Sequence, residues 1–197
     1  MSDRYQKGLI MSDTTTRPLP LTAGTWPVDG AHSGVEFTIR HLGISKVRGR
    51  FNRFDATLTV GDSLADTRVN AEIDLSSVDT NNVDRDNHLR TTDFFDVEAH
   101  PKMTFTSTEI RHDGDDDYVL VGHLTINGVT QPVELDVEFN GVETYPMDQK
   151  RHAGFSAAGT ISRSAFGVDF DVPIGVDKVA LGDKVKIELE LQFVDPS

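Results

Sequence analysis

Apolar and polar residues alternate along residues 26–41, the first region of the chain with a clear periodicity. Val35, Phe37 and Ile39 are separated by single polar or charged residues. Because successive side chains of a β-strand point to opposite faces, this spacing predicts a strand with one buried face. A second strand is expected after the connection at residues 42–45, where Val47 and Phe51 resume the alternation.

The alternation changes phase once, at Asn52-Arg53. Gly49 and Phe51 occupy one phase, whereas the apolar residues from Phe54 to residue 60 occupy the other. A slip of one residue would turn every later side chain of a continuous strand to the wrong face. The sequence therefore predicts a β-bulge or a barrel corner at this point.

Period-two alternation returns in six further segments that are separated by turn signals. Asn127-Gly128 is the strongest hairpin signal among them. Pro132 lacks an N–H group, which predicts a bulge or a locally open edge in the strand that follows this turn. Regular strands of this kind, about eight in all, predict an all-β closed antiparallel barrel, since closure protects strand edges. The further strands are expected at residues 68–76, 103–112, 118–126, 129–139, 152–163 and 185–193.

Residues 79–97 interrupt the strand pattern and predict a short helical insertion near residues 81–97. Asn81 or Asn82 can cap a helix there, and Thr92 can begin a second turn. Phe94 and Phe95 follow within this insertion. Paired aromatic residues can cover one mouth of a barrel, or they can simply pack in its core.

Composition narrows the class of protein. The length of 197 residues suits one domain, which we expect at residues 25–195, after a polar, Pro-containing disordered tail at residues 1–24. A net charge of −13 argues against nucleic-acid binding and predicts repulsion from anionic membranes. Residues 1–25 lack the apolar core of a secretory signal, so we predict a cytoplasmic protein without stable membrane insertion. A homodimer is compatible with the sequence.

The segment at residues 26–51 carries the pattern W-x-V-D-x-x-H-S-x-V-x-F-x-I-x-H-x-G-x-S-x-V-x-G-x-F. It resembles the N-terminal signature of the YceI-like family, a bacterial family. The resemblance continues through residues 86–90, 94–97, 101–107, 122–133 and 163–167, so it spans about residues 25–194. It implies a lipocalin-like barrel that binds a polyisoprenoid or an isoprenoid quinone in its lumen. Such proteins are often periplasmic, and this chain departs from them in the absence of a visible signal peptide.

Ligand contacts are predicted from the inward phase of the strands, together with residues near the expected barrel mouths. An apolar chain in the lumen is held by burial and requires no cofactor, so the expected partner is a long-chain lipid. A phosphate contact is open for Arg40 and its basic neighbours Lys46, Arg48 and Arg50, although alternation points Arg40 to solvent. The predicted ligand-binding residues are Phe37, Ile39, His41, Phe51, Phe94, Phe95, Phe105, Leu124, Leu135, Phe155, Ile161 and Phe166.

Catalysis and metal binding are not expected. Asp29, His32 and Ser33 lie close together in sequence, but such residues are common near strand starts as turn and capping groups. Cysteine is absent, and the seven histidines show no metal-ligand spacing. The sequence therefore predicts a non-enzymatic carrier or storage protein for an apolar lipid. The alternative is a stress-related or interaction module whose barrel is packed solid and holds no lipid.

Overall fold

The structure is a computed structural model that describes residues 19–175 and 178–197. Eleven strands form one antiparallel sheet, and two more form a separate antiparallel pair. One α-helix, α1 (Val83–Leu89), lies between the sixth and seventh strands. The strands are β1 (Gly24–Pro27), β2 (Gly34–His41), β3 (Ser45–Phe51), β4 (Phe54–Val60), β5 (Arg68–Asp74), β6 (Val78–Asp79), β7 (Lys102–Gly114), β8 (Asp117–Ile126), β9 (Val129–Thr144), β10 (Arg151–Ser162), β11 (Pro173–Gly175), β12 (Lys178–Val179) and β13 (Leu181–Val194).

The large sheet has the strand order β1-β4-β5-β7-β8-β9-β10-β13-β2-β3-β6, with β1 and β6 at its edges. It is an antiparallel half-barrel, so the all-β prediction is confirmed, but the closed barrel of about eight strands was wrong. Bends in the chain explain the difference. The segment at residues 26–41 forms two separate strands, so β1 pairs with β4 while β2, which carries Val35, Phe37 and Ile39, pairs with β3 and β13.

The predicted irregularity at Asn52-Arg53 is confirmed, since β3 ends at Phe51 and β4 begins at Phe54. The backbone amide of Asn52 donates to the carbonyl of Ser77 at 3.1 Å, and that of Arg53 donates to the Ser77 hydroxyl at 3.0 Å. The segment at Ser77 thus satisfies the amides that leave the strand ladder. This bend lets the apolar side chains on both sides of it face the same interior.

Glycines allow aromatic rings to lie across neighbouring strands. Gly49 pairs with Phe37, and a Cβ atom built at Gly49 would lie 2.3 Å from the Phe37 ring. A Cβ atom at Gly122 would lie 2.4 Å from the ring of Phe105. Any larger residue would therefore displace a ring from the inner surface of the sheet.

The helical insertion is confirmed, in a shorter form. Asn82 caps α1, since its side chain accepts a hydrogen bond from the Arg85 amide at 2.9 Å. Thr92 does not begin a second helical turn, and residues 92–95 form turns instead. Short 3-10 turns also occur elsewhere in the described chain, at Leu64–Asp66, Leu75–Ser77 and Ser164–Phe166.

The boundary expected between the tail and the domain, at residue 24, lies within the folded part of the chain. Residues 1–18 lie outside the described residues, but Leu19 is buried against the core. The Thr22 hydroxyl donates to Asp195 at 3.1 Å, and the Trp26 indole donates to the Thr22 carbonyl at 2.9 Å. The folded domain therefore includes residues 19–24.

Candidate functional site

The concave face of the half-barrel surrounds a cavity of about 540 Å³. Its wall consists mainly of apolar side chains from β2 to β5, β7 to β10 and β13, which the period of two directs to one face. The volume falls within the range of roughly 300–1,000 Å³ that is usual for small-molecule sites. The interior is therefore not packed solid.

All twelve residues predicted to contact a ligand line this cavity. Some of them also pack against one another: Phe37 and Phe51 have ring centroids 5.6 Å apart, and Phe51 and Phe95 are 5.9 Å apart. Phe155 lies 5.2 Å from Phe139, a neighbour that the prediction did not include. Contact of these side chains with a ligand stays a prediction.

Two connections meet over one end of the cavity. His88 from α1, Phe94 from the turn after it and Phe170 from the loop between β10 and β11 form a cluster of three rings, here called the aromatic cluster. The centroid distances are 5.1 Å for His88 to Phe94, 5.1 Å for His88 to Phe170 and 5.2 Å for Phe94 to Phe170. Edge-to-face and tilted contacts at these distances are favourable. The aromatic cluster thus holds the two connections together at the cavity mouth.

The segment at residues 86–90 attaches α1 to the sheet. Buried Asp86 accepts hydrogen bonds from the Thr80 amide at 2.9 Å and from the Thr80 hydroxyl at 2.6 Å. The Arg90 guanidinium donates to the carbonyls of Ser76 and Val78, each at 2.9 Å. These bonds fix the helix so that His88 reaches the aromatic cluster.

Buried Arg163 anchors the loop that carries Phe170. Its guanidinium donates to the carbonyls of Gly182 at 3.0 Å and of Val168 and Phe170, each at 2.8 Å, and to the Asp171 carboxylate at 2.8 Å. The sequence alone predicted no role for this arginine. A signal was present, because Arg163 continues the inward phase of Phe155 and Ile161 beyond the end of β10.

Polar groups around the cavity are few. His41 lies at the wall near the start of β13, where it pairs with Leu181. Arg85 donates to the Thr80 hydroxyl at 2.7 Å and to the Thr80 carbonyl at 2.8 Å. Arg163 is engaged with backbone carbonyls, as described above. The cavity can therefore hold an apolar chain by burial, with few polar groups to orient a head group near its mouth.

The residues considered for catalysis lie outside this cavity. His32 Nδ1 and Asp29 Oδ2 are 2.8 Å apart, but the Ser33 hydroxyl accepts from the Gln192 amide at 2.9 Å. Hydrogen bonds from His32 and from the Ala31 amide outweigh burial and hold the pKa of the Asp29 carboxyl below its usual value. Within residues 19–175 and 178–197, no three His, Asp or Glu side chains converge as metal ligands would.

Asp183, at the start of β13, is the carboxylate whose pKa is lowered furthest. Hydrogen bonds from Ser162 and Ser164 lower its pKa to about 2. The Ser164 hydroxyl lies 2.6 Å from Asp183 Oδ1 and the Ser164 amide 3.1 Å from the same atom. The carboxylate therefore ties the end of β10 to β13 near the cavity mouth, in its ionised form.

None of the helices in the described part of the chain has the length and the apolar character needed to cross a bilayer. The fold and the site define a class of protein: an antiparallel half-barrel whose concave face encloses an apolar cavity.

Comparison with known proteins identifies the family. A family model described as YceI-like domain matches residues 26–193, and the chain belongs to this family. UPF0312 protein SERP2314 of Staphylococcus epidermidis is 43% identical over 167 residues, which are 84% of this chain and 94% of that protein. The Campylobacter jejuni YCEI protein superposes with a TM-score of 0.68 at 32% identity, over 81% of this chain and 91% of that one. A polyisoprenoid binding domain from Saccharophagus degradans superposes with a TM-score of 0.66, over 89% of this chain and 100% of that one, at 13% identity, which shows a shared fold.

Proposed function

We propose that this chain binds a long apolar lipid, of the polyisoprenoid or isoprenoid quinone type, in the cavity and carries or stores it without chemical change. The observation that carries the proposal is the cavity of about 540 Å³ with an almost wholly apolar wall. Membership of the YceI-like family is consistent with it. The Saccharophagus degradans domain, described as polyisoprenoid binding, shares the fold.

Burial alone can supply the affinity. Each methylene group that moves from water into an apolar wall contributes about 0.8 kcal/mol. An isoprene unit of about five carbons would thus contribute roughly 3 to 4 kcal/mol, before the cost of ordering the chain. Three or four buried units are therefore enough for a dissociation constant on the order of micromolar after about 4 kcal/mol of ordering cost. A polar head group adds selectivity rather than most of the binding free energy.

The alternative, an interaction module with a solid barrel, requires an interior filled by side chains. The cavity argues against it, because a filled interior would leave no continuous space along the strands. A catalytic function is not favoured either. Ser33 lacks a hydrogen bond to His32 among the described contacts, and its hydroxyl accepts from a backbone amide instead.

Two experiments test the proposal. Native mass spectrometry of the gently purified protein should reveal a co-purifying hydrophobic molecule. Titration of the delipidated protein with a fluorescent polyprenyl or quinone probe should saturate, and an unlabelled isoprenoid should compete. Absence of both a co-purifying molecule and saturable uptake would contradict the proposal.

The cytoplasmic location and the homodimer stay predictions. Cell fractionation with an antibody against the chain would test the first, and a solution mass from light scattering would test the second. Recovery of the chain outside the cytoplasm would refute the location without affecting the proposed ligand class.

A further inference from the structure

Exposed apolar side chains are concentrated at one end of the molecule. The described residues include seven large hydrophobic side chains that are exposed, and five of them lie on the β2–β3 turn or on the segment of β11 and β12. We call these five residues the apolar tip. They are Leu42 (40% exposed), Ile44 (82%), Val172 (50%), Ile174 (43%) and Val179 (52%).

The two segments of the apolar tip are joined by backbone hydrogen bonds. The Leu42 amide donates to the Ala180 carbonyl at 2.7 Å, and the Ala180 amide donates to the Val172 carbonyl at 3.0 Å. β11 pairs with β12 through Pro173 and Val179. The exposed side chains therefore form one continuous surface rather than isolated residues.

This surface is continuous with the cavity. Val172 and Ala180 line the cavity, and Val172 is also half exposed on the apolar tip. Leu181 and His41, which pair with each other, line the cavity beside them. An apolar chain that leaves the cavity past Val172 would therefore reach the tip without crossing a charged surface.

Basic residues surround the apolar tip. Residues 38–48, 172–175 and 179–188 carry five Lys or Arg against two Asp or Glu, a net charge of +3 in a chain whose net charge is −13. Arg40 pairs with Lys46, and Arg48 lies opposite Thr38, in strand phases opposite to the cavity wall. Within the described residues, the salt bridges do not include Arg40, Lys46, Arg48 or Lys184, whereas Lys186 pairs with Glu188 at 2.7 Å.

We propose that the apolar tip docks on an anionic lipid bilayer, with the surrounding cations at the head groups, so that lipid passes between the bilayer and the cavity. The proposal rests on the proposed lipid-binding function. An apolar surface flanked by Lys and Arg is the arrangement that sits at the boundary of head groups and acyl chains. The rest of the acidic chain does not prevent docking, because charges beyond about 8 Å are largely screened at physiological salt. The repulsion expected from the net charge therefore does not apply locally.

Vesicle co-sedimentation of the full chain tests docking directly. Binding to vesicles of phosphatidylcholine mixed with phosphatidylglycerol should exceed binding to pure phosphatidylcholine and should fall at high salt. Ile44→Asp should weaken binding at least about tenfold, because an exposed apolar side chain no longer enters the bilayer. Lys46→Gln should weaken it about fivefold on anionic vesicles and leave binding to neutral vesicles unchanged.

Met147→Asp is the matched control, because Met147 is 83% exposed in the turn between β9 and β10, at the opposite end of the strands. Its binding to vesicles should stay within about twofold of wild type. Equal losses for Ile44→Asp and Met147→Asp, or absence of wild-type binding to anionic vesicles, would overturn the proposal. Since Ile44 is exposed, Ile44→Asp should retain the wild-type melting temperature, and Val179→Asp provides a second variant with the same expectation.

Uptake of the quinone probe in the absence of vesicles separates docking from lipid binding. Ile44→Asp should take up the probe as the wild type does. Vesicle binding without probe uptake would refute the proposed lipid function and leave docking intact, whereas probe uptake without vesicle binding would refute docking alone. A concentration-dependent dimer that Ile44→Asp abolishes, together with no vesicle binding, would assign the tip to contact with a second copy and overturn the proposal.

Discussion

Replacing Ala157 by Phe should weaken lipid binding strongly while leaving the protein stable. Ala157 lies within β10, lines the cavity, and pairs with Val137 and Leu189. The new ring places about six carbons in the cavity, so about six carbons of the ligand can no longer be buried there. At about 0.8 kcal/mol per carbon, the ligand would lose up to about 5 kcal/mol of binding free energy. If the ligand recovers half of this by shifting, the loss is about 2.4 kcal/mol, a roughly 50-fold higher dissociation constant.

The free energy of unfolding of the ligand-free protein should respond differently. A ring that enters unfilled space should leave it unchanged or raise it by about 0.5–2 kcal/mol, as cavity-filling substitutions do. In a solidly packed interior, the same ring would instead cost about 1–3 kcal/mol. Chemical denaturation of the delipidated variant, beside titration with the quinone probe, measures both quantities.

Ala158→Phe is the matched control. Ala158 occupies the opposite phase of β10, pairs with Asp136 and Glu188, and is absent from the cavity wall. The same ring on the outer face should change the free energy of unfolding by less than about 0.5 kcal/mol and leave probe affinity unchanged. A lower free energy of unfolding for Ala157→Phe with unchanged probe affinity would refute the reasoning.

Further predictions concern the hydrogen bonds of Arg163, the loss of stability at low pH and the mobility of residues 79–101. Arg163→Gln should lower the free energy of unfolding by about 3 kcal/mol in chemical denaturation, because the Val168 and Phe170 carbonyls and the partly buried Asp171 carboxylate lose their guanidinium donor. Arg53→Gln, at a more exposed ion pair with Asp74, should lower it by less than about 1 kcal/mol, and equal losses would contradict the role of burial. The pKa of Asp183 is lowered to about 2, so its carboxylate stabilises the folded protein at pH values above its ordinary pKa, and this stability is lost as the pH falls from about 4 to 2. In Asp183→Asn, the free energy of unfolding should therefore fall less over this pH range, by a difference of under about 1 kcal/mol. Amide hydrogens of residues 79–101 should exchange faster than those of β13 and slow down when lipid is bound; equal rates would exclude a mobile lid there.

Local patterns predicted the strands and the inner face. Asn127 and Gly128 have φ angles of 51° and 74°, as the two-residue hairpin turn requires. At Pro132, β9 pairs with β8 on one side only. The pairing of β9 with β10 begins at Asp136, beyond the proline. The open edge expected at this proline is therefore confirmed. The cavity wall followed from the same period of two, because alternation fixes which side chains share a face.

The features that the sequence did not predict depend on contacts between distant segments. Leu19 follows no strand pattern, and the segment that places it in the core carries a hydrogen bond between Thr22 and Asp195, which are 173 positions apart. The break between β1 and β2 also involves a distant segment, since Val28 forms an isolated bridge with Phe193 between the two strands. Periodicity describes which face a side chain occupies, but it carries no information on which distant strand it meets.

The contacts over the mouth suggest how the cavity stays closed and still exchanges its ligand. The three ring pairs of His88, Phe94 and Phe170 contribute about 0.5–1.5 kcal/mol each, so opening costs roughly 1.5–4.5 kcal/mol. That range corresponds to an open population between about 7% and 0.05%. Arg163 holds the same loop at Val168, Phe170 and Asp171 through hydrogen bonds, so opening should be confined to the ring of Phe170 and to the part of the loop from Val172 onward. Val172 both lines the cavity and belongs to the apolar tip. Bilayer contact that engages Val172 would therefore favour the open state and couple docking to ligand exchange.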